Sequence, residues 1–324
     1  MMKFIGLTAS ILLACGSAQA QSYPTRPITM VVPFAAGGAT DVIARIVAEG
    51  MSEDLGQSIV IENVAGAGGT TGSARVMRAD PDGYTLLTGH MGTHGSAYSL
   101  YAKPKYDPRT DFEPIGLAAS APIVIFARKD LPANNLKEFT EYLKTKGDGV
   151  KAGHSGIGSN AHLTCMLFSS LVGAKPTQVA YRGNGPLMTD LMSGTIDYSC
   201  DQVITVASQV NAGTVKALVV AGKDRSKALP DVPTSVEAGV PAYQADAWTA
   251  FFAPAKTPPA ILDRLSKSYA KALDNPRVIS RLNELGAVIP SPEQRTPEYL
   301  RKLVETDVKR WGEVISQANV RITD

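Results

Sequence analysis

Residues 28–51 have the sequence ITMVVPFAAGGATDVIARIVAEGM, which predicts a strand, a tight turn and a helix. The strand is a short apolar run, and the helix has apolar residues at the i, i+3, i+4 spacing of one face. Gly37 and Gly38 permit a tight turn, and Thr40 or Asp41 can cap the first helical turn. Free amides and the positive end of the helix dipole therefore predict a site for a carboxylate or phosphate, without metal or lysine. The alternative is a plain strand-to-helix connection.

The same strand, glycine turn and helix pattern recurs at residues 62–72, ENVAGAGGTTG. Further motifs follow in order: PDGYTLL at 81–87, GIGSNAHL at 156–163, YRGNGP at 181–186 and LPDVPT at 229–234. Together these motifs resemble the substrate-binding proteins of tripartite tricarboxylate transporters, the Bug family of periplasmic receptors. The likeness extends over nearly the whole chain after its first twenty residues. Many co-linear motifs are a more specific signal than any single glycine loop.

The first twenty residues have the pattern of a signal peptide. Lys3 supplies a positive start, an apolar stretch follows, and Ala18-Gln19-Ala20 forms an A-x-A cleavage site. We therefore expect residues 1–20 to be removed and the mature chain to be periplasmic. Cleavage at a lipidated Cys15 is a less favoured alternative, because Leu13 fits the second position of a lipoprotein signal poorly and the A-x-A site is better formed.

Composition excludes several other classes of protein. The 324 residues carry a formal net charge of +2, and no basic stripe with interleaved aromatic residues predicts a nucleic-acid partner. No stretch after the leader has the length and apolar character of a membrane span. Of the three cysteines, Cys165 and Cys200 remain after cleavage. They could pair in an oxidising compartment, but we expect them to be buried and unpaired.

Apolar strand-like runs alternate with helical patterns, for example helices over Asn135–Lys146 and Asn160–Val172. This order predicts an α/β fold with a parallel sheet covered by helices on both faces. The pattern alone allows either two successive units or two interleaved lobes. The resemblance implies the second arrangement, a periplasmic binding protein of type II with a ligand cleft between its lobes. Residues 21–122 and 246–324 would form lobe one, and residues 123–245 would form lobe two.

The second half of the chain contains two more glycine loops between a strand and a helix, at residues 153–163 and 181–186. Such loops gather at the carboxyl edge of an α/β sheet and present backbone amides to an anion. The resemblance implies that three loops hold a carboxylate, partly through ordered water, and that a far end of the pocket selects the acid. The expected ligand-binding residues are Phe34, Ala36, Gly37, Gly38, Thr40 and Asp41 in the first loop, Ser155, Gly158, Ser159 and Asn160 in the second, Arg182, Gly183 and Asn184 in the third, and Met91, Thr93, His94 and Asp201 at the far end.

Two of these side chains have an alternative role. Asp41 can pair with a ligand amine or simply cap its helix, and Arg182 can be a ligand cation or a solvated loop residue. Trp248 can pack at the hinge or line the cleft.

The sequence predicts no catalytic residue, no cofactor and no metal site. A nucleophile elbow at Ser155 would need glycine at position 157, where the chain has Ile157. No phosphate-binding loop of the G-x-x-x-x-G-K-[ST] type is present. His90 and His94 have i, i+4 spacing, but they have no acidic or cysteine partner nearby in the sequence.

We therefore expect an exported, monomeric solute receptor rather than an enzyme. It would capture a small organic carboxylate, an aromatic or aliphatic di- or tricarboxylate such as a terephthalate-like diacid. It would then deliver that acid to the integral-membrane permease subunits of a tripartite transporter. The alternatives are a ligand-sensing domain for a signalling partner and, less favoured, an α/β hydrolase acting on a carboxylate ester. The sequence does not identify the acid.

Overall fold

The computed structural model describes residues 23–318 and 321–323. The expected signal peptide lies outside the described residues. Within them, two α/β lobes are joined by two long strands. None of the helices in these ranges combines the length and the apolar character that crossing a bilayer requires.

The chain begins with three parallel strands separated by helices: β1 (Ile28–Val32), α1 (Ala39–Leu55), β2 (Ile59–Asn63), α2 (Thr70–Met77) and β3 (Thr85–His90). β1 lies between β2 and β3, as expected for right-handed crossovers with helices on the sheet faces. α1 buries Ile43, Ile46 and Val47, the face that its apolar spacing predicts. A π-helical turn (Met91–Ser96) and the short α3 (Ala97–Leu100) follow β3 directly.

The second lobe is entered through the 17-residue strand β4 (Phe112–Arg128). Its elements alternate as in the first lobe: α4 (Leu136–Lys146), β5 (Lys151–His154), α5 (Asn160–Val172), β6 (Thr177–Ala180), α6 (Asn184–Met192), β7 (Tyr198–Gln202), α7 (Val203–Asn211) and β8 (Val215–Val220). β5, β6 and β7 are parallel, with β5 in the middle.

The chain returns to the first lobe through β9 (Asp246–Pro254), which runs antiparallel to both β3 and β4. β4 pairs with β9 up to Pro122. Beyond that point it pairs with both β7, from Ile123, and β8, from Val124, again antiparallel. The expected parallel sheet therefore forms within each lobe, but the pairs that involve β4 and β9 at the centre are antiparallel. The chain crosses between the lobes twice in opposite directions, so the two crossing strands must run antiparallel. We propose that the lobes divide at these two crossings, residues 122/123 and 245/246.

Three helices complete the chain: α8 (Pro259–Asp274), α9 (Pro276–Glu284) and α10 (Pro297–Ala318). Leu265 and Tyr269 of α8 share a buried apolar cluster with β1 and α1. Trp311 of α10 is 1% exposed and lies in a cluster with Phe252 of β9, so it is a core residue. Trp248 is also buried, and its indole Nε1–H donates to Asp307 Oδ2 at 2.6 Å.

A disulfide joins Cys165 of α5 to Cys200 of β7. The expectation of unpaired cysteines is therefore wrong. α5 packs directly on β7, where Thr164 Oγ1 donates to the carbonyl of Cys200 at 3.2 Å. This packing brings together two cysteines that are 35 residues apart in the sequence.

Candidate functional site

A small cleft lies between the two lobes, with about 40 Å³ of space open to the centre of a water molecule. It is bounded by the segments that follow β1, β3, β5, β6 and β7, as ligand sites in α/β proteins usually are. Its walls are Phe34, Ala35, Gly38, Ala39, Thr40 and His90 from the first lobe, and Ser155, Ser159, Asn160, Gly183, Asn184, Asp201 and Gln202 from the second.

The start of α1 forms the first-lobe wall of this cleft. The first hydrogen bond of the helix runs from the Val42 amide to the Gly38 carbonyl at 3.0 Å, and no side chain caps the helix. The amides of Ala39 and Thr40 therefore have no partner within the helix, and both residues line the cleft. Neither Thr40 nor Asp41 is the cap, so the expected capping role is wrong for both. The helix start instead presents uncapped donors to the cleft.

Asp41 fixes the shape of the turn before α1. Its Oδ2 accepts the Gly37 amide and the Arg45 Nε, both at 2.9 Å, and its Oδ1 accepts Asn63 Nδ2 at 2.9 Å. Asn63 Nδ2 also donates to the Phe34 carbonyl at 2.9 Å. Burial opposes the charge of Asp41, but the hydrogen bonds from Arg45, Gly37 and Asn63 outweigh burial and lower its pKa. The carboxylate is therefore hydrogen-bonded to other groups of the protein, and a ligand amine is not its partner.

Ser159 caps the start of α5 in the second lobe. Its Oγ accepts the His162 amide at 3.3 Å, which leaves the hydroxyl proton free for the cleft. His162 Nδ1 in turn accepts the Gly158 amide at 3.2 Å. Burial lowers the pKa of His162 to about 4, helped by His154, whose ring centre is 4.6 Å away. His162 is thus a neutral support for the loop.

His90 lines the cleft, although the sequence indicated no ligand-binding role for it. Its Nδ1 accepts the Gly92 amide at 2.7 Å and the Thr93 amide at 3.4 Å. Burial lowers its pKa to about 3, so the ring is neutral and carries its proton on Nε2. The ring stacks on Phe34 at a centroid distance of 4.6 Å. His90 can therefore offer the cleft one uncharged donor, its Nε2–H.

Asp201 and Asn184 form a linked pair on the second-lobe wall. Asn184 Nδ2 donates to Asp201 Oδ2 at 2.7 Å, and the Gln202 amide donates to Asp201 Oδ1 at 2.8 Å. Burial raises the pKa of Asp201 to about 6, against the opposing effect of these hydrogen bonds. Asp201 is still ionised at neutral pH, so this wall carries a negative charge.

Arg182 lies outside this cleft, at a wider opening next to it with about 530 Å³ of space open to the centre of a water molecule. The opening also contacts Tyr181, Gly156 and the 65–69 loop, and it shares Phe34 and Gly183 with the cleft. Arg182 is exposed and has no hydrogen bond or ion pair with another described residue. The structure therefore places Arg182 at the approach to the cleft and not among the residues that line it.

The structure brings together most of the expected site residues: Phe34, Gly38, Thr40, Ser155, Ser159, Asn160, Gly183, Asn184 and Asp201 line the cleft. Ala36 and Gly37 are exposed at the tip of the first loop, and Gly158 packs behind the second loop against Leu100. Ala35, Ala39, His90 and Gln202 line the cleft in addition. Each of these four directly adjoins an expected residue in the sequence, although His90, next to Met91, gave no signal of its own.

Met91, Thr93 and His94 do not form the expected far end of the pocket. All three are buried in the first lobe, because the chain after β3 forms a π-helical turn instead of an open loop. His94 stacks on Phe252 at 4.0 Å, and its Nδ1 lies 2.9 Å from Thr93 Oγ1. Within the described ranges, no three His, Cys, Asp or Glu side chains cluster as a metal site would require.

The two lobes touch across the cleft, so this is a closed arrangement. The Gly158 carbonyl lies 2.4 Å from the position that a Cβ on Gly92 would take, and the Ile157 carbonyl lies 2.1 Å from that position on Gly68. Side chains at Gly68 and Gly92 would therefore hold the lobes apart.

The tripartite tricarboxylate transporter family receptor model matches residues 43–320 of the chain. Among solved structures, MatC (Rpa3494) from Rhodopseudomonas palustris with bound malate is 44% identical, with a TM-score of 0.88 over 90% of this chain and 100% of that one. The periplasmic binding protein BugD is 41% identical, with a TM-score of 0.88 over 92% and 99%. R. palustris Rpa4515 with adipate is 33% identical, with a TM-score of 0.87 over 92% and 99%. This chain therefore shares the two-lobed fold of those proteins.

Proposed function

The chain belongs to the tripartite tricarboxylate transporter receptor family, and on that premise we propose that it binds a small organic carboxylate between its lobes and delivers it to a membrane permease. Family membership identifies it as a solute-binding protein of the periplasmic type. The acid, the permease partner and the absence of turnover are parts of the proposal.

One observation carries the proposal: helix starts from both lobes, two of them without a side-chain cap, meet in a cleft that has no cationic side chain among its described residues. α1 contributes the amides of Ala39 and Thr40, and α5 and α6 begin at Asn160 and Asn184 on the opposite wall. Each helix start carries about half a positive charge. None of the described lining residues is Lys or Arg, and His90 is neutral. Such a site attracts an anion through fixed dipoles, with specificity from the geometry of the amides.

A carboxylate fits this site better than a phosphate. The cleft contains the buried, ionised Asp201, which would repel the second charge of a phosphate monoester. The related proteins with bound malate and adipate place organic acids in the same fold. These observations support a short aliphatic acid with one or two carboxylates.

Ligand contacts on both lobes would favour the closed arrangement. Phe34 and Thr40 belong to the first lobe and Ser159 and Asn160 to the second, so a ligand that contacts all four bridges the cleft. A ligand shifts such an equilibrium by its differential affinity for the closed state. The permease would then recognise the closed, loaded receptor.

A receptor is favoured over a hydrolase by how the polar groups of the cleft are bonded. Ser159 Oγ accepts a backbone amide, His90 Nδ1 accepts two backbone amides, and Asp201 accepts Asn184. No serine of the described cleft is hydrogen-bonded to a histidine side chain that could act as its base. A sensor domain would have the same cleft, and co-purification of a permease subunit would separate it from a transport receptor.

A thermal-shift screen of organic acids tests the proposal. A ligand that binds only the native state, at a concentration of one hundred times its Kd, raises the free energy of unfolding by about 2.7 kcal/mol. We expect one or more carboxylates to raise the melting temperature, while their uncharged amides do not. The bound acid should be recovered unchanged after prolonged incubation. A panel in which no carboxylate shifts the melting temperature, or steady conversion of the bound acid, would overturn the proposal.

A further inference from the structure

One side of the cleft presents hydrogen-bond acceptors where the helix starts present donors. Asp201, Gln202 and Asn160 are 6%, 2% and 5% exposed, and all three line the cleft. Asn160 Oδ1 and Gln202 Oε1 have no hydrogen-bond partner among the described residues. Buried acceptors without a partner are rare in folded proteins, and in a ligand cleft they indicate groups that the ligand satisfies.

Asp201 carries most of this argument. Rotating the amides of Asn160 or Gln202 would exchange oxygen for nitrogen, but both polar atoms of Asp201 are oxygens. Asn184 and the Gln202 amide each donate one hydrogen bond to it, and the Thr205 side chain contributes a third. An ionised carboxylate can accept about four hydrogen bonds, so Asp201 retains capacity towards the cleft. The described lining residues contain no cation that would neutralise it.

We infer that the acid bound here also carries a hydrogen-bond donor on its carbon chain, a hydroxyl or an ammonium group, which Asp201 accepts. The inference rests on the proposed function and narrows its substrate class to hydroxy or amino acids with a carboxylate. An unsubstituted diacid would place a methylene group against these acceptors and leave them desolvated and unpaired. A second carboxylate at the same wall would face Asp201 as a like charge. Sites built to bond a hydroxyl discriminate strongly against the analogue that lacks it.

Matched ligand sets test this inference by titration calorimetry at pH 7.5. The sets are succinate, L-malate, D-malate and L-aspartate, with the corresponding five- and six-carbon acids. We expect at least one hydroxy or amino acid to bind at least tenfold more tightly than the unsubstituted acid of its length. Comparing malate with aspartate shows whether the site prefers a hydroxyl or an ammonium donor. Equal or tighter binding of the unsubstituted acid in every set would overturn the inference and leave the proposed function standing. If no acid of any kind binds, the proposed function fails as well.

Asp201→Asn links the preference to this residue. An amide can donate as well as accept, so we expect the hydroxy- or amino-acid preference to fall to about threefold or less, with tighter binding of the unsubstituted acid. Asp190→Asn is the matched control, because Asp190 lies on α6 and accepts the Tyr181 hydroxyl at 2.7 Å outside this cleft. Circular dichroism verifies the folding of both variants. A folded Asp201→Asn protein with the wild-type preference would overturn the inference, and the wild-type ligand comparison decides it if that variant does not fold.

Discussion

Replacing Asp41 by asparagine should loosen the turn that aims the start of α1 into the cleft. The carboxylate accepts the Gly37 amide, two guanidinium bonds from Arg45 and the Asn63 side chain. Asparagine has the same shape but only one oxygen and no charge, so it cannot satisfy these donors together.

The expected cost follows from how exposed each partner is. The Asp41 side chain is 3% exposed but Arg45 is 48% exposed, so the ion pair itself contributes at most about 1 kcal/mol. The bonds from Gly37 and Asn63 are partly buried, and a hydrogen bond to a charged group is worth about 1.5–3 kcal/mol. Because asparagine retains one acceptor, we expect the free energy of unfolding at pH 7 to fall by about 2 kcal/mol. Displacement of the Ala39 and Thr40 amides should also weaken binding of the acid by about tenfold.

Urea unfolding from pH 7 to pH 2, with calorimetry at pH 7, measures both effects. The pKa of Asp41 is lowered in the folded state, so its contribution is present above its unfolded value, about 3.9, and is lost as the pH falls through the folded value. The difference between wild type and Asp41→Asn should therefore shrink in acid. Asp263→Asn is the control, since Asp263 forms an exposed i, i+4 pair with Lys267 and should cost no more than about 0.5 kcal/mol. If Asp41→Asn unfolds like this control and binds like wild type, the account of the turn is refuted.

Three further predictions concern the second lobe. Replacing both Cys165 and Cys200 by serine should lower the free energy of unfolding by about 4 kcal/mol, because the disulfide joins residues 35 positions apart in the sequence. A urea midpoint that neither the double substitution nor reduction changes would contradict this prediction. Asp201→Asn should stabilise the ligand-free protein at pH 7.5 by up to about 3 kcal/mol. Because burial raises the pKa of Asp201 to about 6, the wild type should regain this stability as the pH falls from about 6 to 4. A variant whose melting temperature at pH 7.5 is equal to or lower than that of the wild type would contradict this prediction. Arg182→Ala should slow association and reduce its salt dependence in stopped-flow measurements while Kd changes less than about threefold, and a larger loss would place Arg182 in direct contact with the bound acid.

Local sequence patterns predicted the elements that bound the cleft well. The helix predicted over Asn160–Val172 has those limits in the structure, because Ser159 caps it and the following glycine ends it. The strand, turn and helix around Gly38 also form as predicted. These features depend on residues close together in the sequence, so they can be identified without knowledge of the fold.

Features that depend on distant contacts were predicted poorly. The pairing of Cys165 with Cys200 requires α5 to pack on β7, and the burial of His94 requires Phe252 from β9. Asp41 is a residue type that commonly caps helices, but a hydrogen bond from Asn63 of the neighbouring strand β2 helps to hold it in the turn instead. His90 gave no signal as a donor, since its tautomer is set by how the chain folds back after β3.

A crystal structure of the wild-type chain with its tightest-binding acid would test the central claim most directly. We predict that one carboxylate lies between the lobes, within hydrogen-bond distance of the amides at the starts of α1 and α5, either directly or through one ordered water. We also predict that no cationic side chain contacts it. A carboxylate held by Arg182 in the outer opening, with the amides of Ala39 and Thr40 facing only solvent, would contradict the account.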